Sequence, residues 1–136
     1  MIVYPTYIYM GKKEPAAPDF PFWENGVLNA SMDGSIRSVF YPAENRVQVQ
    51  GGKAIFTVDS TKYSKIKFNA NAFTTISVLV YATENGKVYG SERYFVESTK
   101  KDFEFIIPEA FRKSGAKFGF DSGEATLYLN SIIMTN

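Results

Sequence analysis

Four side chains in this sequence could bind sugars: Trp23, Tyr81, Tyr89 and Arg93. A flat aromatic ring stacks on the apolar face of a sugar, while arginine donates hydrogen bonds to its hydroxyls. Tyr89 and Arg93 have the same parity along one predicted strand, and Tyr81 lies on its partner strand across the Asn85-Gly86 turn. The alternative is structural: Tyr81 and Tyr89 would cap the edge of the core, and Trp23 would be buried. The sequence leaves both interpretations open.

Catalytic chemistry has little support in the residue types present. Histidine and cysteine are both absent, which removes the usual general base, the partner of a serine nucleophile and the common zinc ligands. Paired carboxylates could hydrolyse glycosides without histidine, and Glu92, Glu97 and Glu104 lie on predicted strands. Charged residues on the outer face of a strand are usually solvated surface. We therefore predict a protein that is not an enzyme and keep a glycan-cleaving enzyme as the weakest alternative.

The charge balance argues against a dedicated nucleic-acid binder. The 136-residue chain has 15 basic and 14 acidic residues and a net charge of +1, without the basic stripe that such proteins show. The segment Gly51-Gly52-Lys53 lacks the spacing and the following Ser or Thr of a phosphate loop. No nucleic-acid partner and no phosphate-binding cofactor are predicted.

The first ten residues alternate tyrosine with aliphatic residues and are typical of a strand. Pro5 cannot donate to a strand ladder, so this strand is predicted at a sheet edge or as an arm on another surface. As an arm, it would use Tyr4, Tyr7, Ile8 and Tyr9 to contact copies of the same chain or other proteins; as a first strand, it would pair within its own sandwich. The apolar run lacks a preceding basic region and is far too short to span a bilayer, so neither a signal peptide nor membrane insertion is expected.

Short strands separated by turn signals make up the remainder of the chain. A Pro-rich loop is predicted over 11–21, hairpin turns at Gly51-Gly52, Asn85-Gly86 and Ser122-Gly123, and one helical turn within 109–114. Nine to ten strands spaced about 8–12 residues apart indicate a sandwich or barrel. We predict an all-β fold, a jelly-roll-type antiparallel β-sandwich over 22–136, preceded by an arm and loop over 1–21.

Three segments resemble the galactose-binding-like jelly rolls, which include many carbohydrate-binding modules: 58–68, 103–109, and the pair 118–120 and 125–134. The resemblance covers about two thirds of the chain and implies a sandwich that binds glycans. It also implies the option of a structural calcium, for which Asp59, Asp121 and Glu124 beside turns are the candidate ligands. No dense Asp/Asn cluster supplies the six to eight oxygens that calcium needs.

The opening segment 1–7 resembles the start of small structural proteins of tailed bacteriophages. The leading prediction is therefore a non-enzymatic virion protein, a capsid decoration or tail component made in the host cytoplasm. Its partners would be other virion proteins or its own copies, bound through the arm. The alternative is a carbohydrate-binding module that recognises a bacterial surface glycan.

Overall fold

The computed structural model describes residues 17–33 and 37–136, and eleven β-strands lie within them. The arm residues Tyr4, Tyr7, Ile8 and Tyr9 lie outside this part of the chain. The strands, in chain order, are β1 (Phe20–Pro21), β2 (Trp23–Glu24), β3 (Val27–Leu28), β4 (Ser31–Met32), β5 (Ser38–Tyr41), β6 (Arg46–Val58), β7 (Lys65–Asn71), β8 (Ile76–Glu84), β9 (Lys87–Val96), β10 (Lys101–Ile106) and β11 (Ala116–Thr135). A single 3-10 turn, Glu109–Phe111, confirms the predicted helical turn in shortened form.

Two antiparallel layers form the sandwich. Sheet I has the order β9-β8-β11-β6-β4 and sheet II the order β10-β7-β11-β6-β5, with β1 beside the end of β11. The long strands β6 and β11 belong to both layers, because their first and second halves pair with different neighbours. The all-β jelly-roll prediction is confirmed, and the Asn85-Gly86 hairpin joins β8 to β9 as predicted.

Two predicted hairpin turns are wrong. Gly51 and Gly52 lie inside the uninterrupted strand β6, and Ser122 and Gly123 lie inside β11. Gly52 is the register partner of Gly123, and the β6–β11 register shifts on both sides of Gly123. The glycines therefore mark matched bulges at which both long strands bend from one sheet into the other.

The predicted loop over 11–21 also ends too late. Phe20 and Pro21 pair with Met134 and Ile133 of β11, and Phe22 is fully buried in the core. A proline is tolerated there because β1 is a two-residue edge strand. The sandwich pairing thus begins at Phe20, two residues before the predicted boundary.

Aromatic rings fill the space between the layers. Phe68 of sheet II lies with its ring centroid 5.3 Å from that of Phe120 in sheet I, and Phe105 of sheet II lies 6.4 Å from Phe118 of sheet I. At the open edge, the Tyr94 hydroxyl of β9 donates to the Glu104 carbonyl of β10 at 2.6 Å. Burial, followed by the charges of Glu92 and Glu104, raises the pKa of Tyr94 to about 12, so this phenol remains a hydrogen-bond donor at neutral pH.

Ser60 attaches the 3-10 turn to the rest of the sandwich. Its buried hydroxyl donates to the Phe111 carbonyl at 2.5 Å and accepts from the Lys113 amide at 3.1 Å. We expect Ser60→Ala to lower the free energy of unfolding by about 1–3 kcal/mol, because buried backbone groups lose their partner. Urea denaturation measures this change, with the exposed Ser91→Ala as the matched control; equal stability of the two variants would contradict the assignment.

Candidate functional site

The structure does not bring the four predicted sugar-binding residues together. Trp23 is only 3% exposed, its Nε1 donates to the Asn45 carbonyl at 2.9 Å, and its ring packs between Phe40 and Phe56. The structural alternative is therefore correct for Trp23. A ring enclosed in this way cannot stack on a sugar.

A bulge separates the other three candidates. Between the pairs Val80–Glu92 and Ala82–Tyr89 the register shifts, so Tyr89 lies on the same face as Ala82, 5.1 Å from the Phe111 ring, and remains 40% exposed. Arg93 stays on the outer face and donates to the Ser77 hydroxyl at 2.6 Å. The shared parity predicted for Tyr89 and Arg93 is wrong, because a bulge inserts an extra residue between them.

Tyr81 lies on the outer face of sheet I, and its register partner on β11 is Gly119, which has no side chain. A Cβ at Gly119 would come within 2.4 Å of the Tyr81 ring, so the ring rests directly on the strand backbone. Tyr81 is only 4% exposed. Burial, followed by the Asp121 charge, raises the pKa of its phenol. Tyr81 therefore offers little ring surface to a ligand.

The predicted calcium ligands are committed to their own turns. Asp59 accepts from the backbone amide and hydroxyl of Thr61, and these bonds lower the pKa of its carboxyl. Asp121 accepts from the Gly123 amide at 2.8 Å. Within the described residues, no group of three or more carboxylates could hold a metal ion. The structure thus does not gather Asp59, Asp121 and Glu124 into one site.

A different set of polar side chains converges on the outer face of sheet II. Asn130 Nδ2 donates to Asn69 Oδ1 at 3.0 Å and to Asn71 Oδ1 at 2.9 Å. Asn69 Nδ2 in turn donates to Asp102 Oδ1 at 2.8 Å. We call this surface the amide face; it comprises Arg46, Gln48, Asn69, Asn71, Phe73, Asp102, Tyr128 and Asn130.

The strand register explains why these side chains meet. Asn69 and Asn71 alternate with the buried Phe68 and Ala70 along β7, so both point away from the core. Asn71 is the partner of Tyr128 on β11, while Asn69 is the partner of Asp102 on β10. A bulge between Leu129 and Ser131 adds Asn130 to the same face.

An aromatic corner lies beside the asparagines. Tyr128 is the register partner of Gln48 on β6, and the Arg46 guanidinium lies 4.7 Å from the centroid of the Tyr128 ring. Phe73 meets Tyr128 edge to face, at 5.7 Å between centroids, and is 79% exposed. The corner therefore combines a largely open ring with donors and acceptors of hydrogen bonds.

An open groove of about 380 Å³ continues from Asp102 toward the β10 edge, lined by Lys67, Phe68, Asp102, Phe103, Glu104, Ser131 and Ile133. Lys65 lies 3.8 Å from Glu104, so the charges along this edge are partly balanced. The amide face and this groove together present rings, amides and carboxylates along one continuous surface. Hydroxyl-rich ligands are recognised by such a combination.

Two other grooves offer fewer available groups. The groove of about 750 Å³ beside Phe20 contains Asp59, Thr61 and Tyr63, whose polar atoms bond to each other or to the Pro18 carbonyl. The groove of about 390 Å³ on sheet I contains Lys113, which forms an ion pair with Glu84. The first of these grooves has the larger volume, but the amide face has more side chains that converge on one surface and is therefore the better candidate site.

The sequence carries a signal for the amide face in its asparagines. Asparagine is depleted in strands, yet Asn69 and Asn130 lie on predicted strands and Asn71 directly follows one. Gln48-Val49-Gln50 repeats the pattern on a neighbouring strand. Amide side chains at alternating strand positions indicate a hydrogen-bonding role, because these residues do not favour strand formation.

Comparison with solved structures relates this sandwich to carbohydrate-binding modules. A family 29 module from Piromyces equi matches with a TM-score of 0.57 and 14% identity, over 88% of this chain and 91% of that module. A family 6 module from Clostridium stercorarium, solved with cellobiose, matches with a TM-score of 0.54 and 10% identity, over 93% of this chain and 99% of that module. A further family 6 module matches with a TM-score of 0.53 and 12% identity, over 89% and 95% of the two chains.

At these identities the likeness shows the fold alone. This chain has a β-sandwich like that of carbohydrate-binding modules, as the resemblance in the sequence implied. No protein-family model matches the sequence, and no curated protein matches it. Among the residues described, no helix is long and apolar enough to cross a membrane.

Proposed function

We propose that this protein binds a carbohydrate chain on the amide face without cleaving it. The observation that carries the proposal is the hydrogen-bonded row formed by Asp102, Asn69 and Asn130 beside the Tyr128–Phe73 corner. The side-chain amides both donate and accept, as sugar hydroxyls require. The exposed Phe73 ring supplies the flat apolar surface on which a sugar stacks.

The row also has the extent that a chain ligand needs. Asp102, Asn69, Asn130, Arg46 and Tyr41 lie on five successive strands, β10, β7, β11, β6 and β5. Four strand spacings of about 4.8 Å give a row of about 19 Å. Such a row is long enough for several sugar rings. The likeness of the fold to carbohydrate-binding modules supports the same proposal.

Binding without cleavage agrees with the surroundings of Glu97 and Glu104, two carboxylates that the sequence predicted on strands. Glu97 forms an ion pair with Lys101 at 3.2 Å, and Glu104 lies 3.8 Å from Lys65. Both carboxylates are about half exposed and act as ion-pair partners at the surface. We propose a ligand-binding role for the surface that these residues border.

Removal of the Phe73 ring should weaken glycan binding without unfolding the protein. We expect Phe73→Ala to bind its glycan about tenfold more weakly, equivalent to about 1.4 kcal/mol, because the stacking surface is lost. Isothermal titration with a glycan selected on an array measures the change. Phe95→Ala is the matched control, because Phe95 is 65% exposed and lies on β9 of the other sheet.

Two results would contradict the proposed function. The first is equal binding by Phe73→Ala, Phe95→Ala and the parent protein. The second is the absence of binding to every glycan on a broad array that includes bacterial surface polysaccharides. Melting temperatures of the three proteins establish that any loss of binding comes from the surface.

The virion role remains a prediction from the sequence. Its basis is the opening segment 1–7 together with the predicted arm, all of which lies outside the described residues, and none of the solved structures named above is a virion protein. We propose light scattering on the full chain and on a chain that begins at residue 17. An oligomer that becomes a folded monomer on truncation would support an assembly arm, and two monomers would contradict self-assembly through it.

A further inference from the structure

Among the described residues, Arg46 is a cation on the amide face that forms no ion pair. It is half-buried on β6, and no acceptor for its buried Nε lies among the described residues. The ion pairs that the described residues form involve Lys65, Lys101 and Lys113. Glu44 is two residues away in an exposed turn and does not pair with it.

A partly buried charge without a partner costs free energy, because water is removed and nothing replaces it. The Tyr128 ring at 4.7 Å offsets part of that cost, since a cation is attracted to the electron-rich face of an aromatic ring. The planar guanidinium matches a planar, two-oxygen acceptor such as a carboxylate.

The carboxylates of this surface lie at its other end. Asp102 accepts from Asn69 and Glu104 lies near Lys65, both on β10, three strands away from Arg46 in the sheet order. Between them lie the uncharged side chains of Asn69, Asn71 and Asn130. An anionic ligand group is therefore favoured at the Arg46 end, whereas the β10 end presents carboxylates that are partly balanced by Lys65.

We infer that the amide face binds an acidic glycan, with Arg46 pairing with the carboxylate of a uronic acid unit. This inference rests on the proposed function and names the class of its ligand. Leu129 of β11 pairs with Val47 of β6 in an antiparallel register. The next residue of β11, Asn130, therefore lies beside Arg46. The amide then bonds to hydroxyls of the same or the next sugar while the guanidinium holds the carboxylate.

The experiment compares neutral and acidic polysaccharides of matched backbone. Titrations of the full chain use oligomers of β-1,4-linked glucose against β-1,4-linked glucuronate, and β-1,4-linked mannan against β-1,4-linked polymannuronate. We expect at least tenfold tighter binding to the acidic member of a bound pair, weakened by added salt. Monomeric glucuronate should bind far more weakly than the oligomer, which distinguishes a glycan from an isolated carboxylate.

Arg46→Gln keeps most of the side-chain length and removes the charge. We expect it to lose at least tenfold in affinity for the acidic member and clearly less for the neutral member, so that the preference disappears. Arg93→Gln, on the outer face of sheet I, is the control and should keep the preference. Equal affinity for both members of every bound pair, or equal losses for both on Arg46→Gln, would overturn the inference and leave the proposed function standing. Absence of binding to all four polysaccharides would overturn the inference, and absence of binding across the broad array would overturn the proposed function as well.

Discussion

Phe68→Ala should lower the free energy of unfolding by about 3–5 kcal/mol, a large part of the stability of a domain of this size. The Phe68 ring contacts Phe103 within sheet II, and Tyr94 and Phe120 of sheet I, with centroids 5.2 to 5.3 Å apart. Its removal leaves a cavity at the centre of both layers. Chemical denaturation followed by intrinsic fluorescence measures the loss.

A matched variant separates this packing effect from the general cost of losing a phenylalanine. Phe95→Ala removes the same atoms from an exposed position of β9, so we expect a change within about 0.5 kcal/mol. Phe68→Leu retains most of the volume and should cost clearly less than Phe68→Ala. Similar losses for Phe68→Ala and Phe95→Ala would contradict a core centred on Phe68.

Alternation and turn chemistry predicted most of the strands. Ile66, Phe68 and Ala70 are buried as their spacing indicates, and Asn85-Gly86 forms the hairpin that its residue types favour. These features are local, because each depends on a few neighbours along the chain. The fold class followed from them and from the resemblance to jelly rolls.

The two incorrect hairpins show where local reasoning stops. Gly51-Gly52 and Ser122-Gly123 have the composition of tight turns, but each lies where a long strand passes from one sheet to the other. A turn and a sheet-crossing bulge both need a backbone free of bulky side chains. Only the pairing of Gly52 with Gly123, 71 positions later in the sequence, distinguishes the two.

The amide face was missed for a related reason. Its members come from β6, β7, β10, β11 and the loop after β7, and strand order decides that they share a surface. Single aromatic residues were predicted to bind the ligand, and of these Trp23 lies in the core. Large aromatic side chains are stabilised by burial in a core as well as by stacking on a ligand. Residue type alone therefore could not separate the two roles.

Gly90 produces the bulge that divides Tyr89 from Arg93, and its replacement should be costly. Its φ of +55° lies in the left-handed region, which costs an L-residue about 1 kcal/mol. A Cβ there would come within 2.5 Å of Pro108 Cγ, and a proline ring cannot rotate away. We expect Gly90→Ala to lower the free energy of unfolding by about 2–4 kcal/mol, as overpacking adds to the backbone strain.

Gly86→Ala isolates the backbone contribution to this loss. Gly86 has a φ of +76°, and nothing lies within 4 Å of its added Cβ. The loss of stability in this variant therefore comes from the backbone conformation alone. The difference between the two variants in urea denaturation is the cost of the contact with Pro108. Equal losses for Gly90→Ala and Gly86→Ala would mean that β9 and the Pro108 loop are not in close contact. The position of Tyr89 beside Phe111 would then lose its support, because the bulge at Gly90 determines both this position and the contact with Pro108.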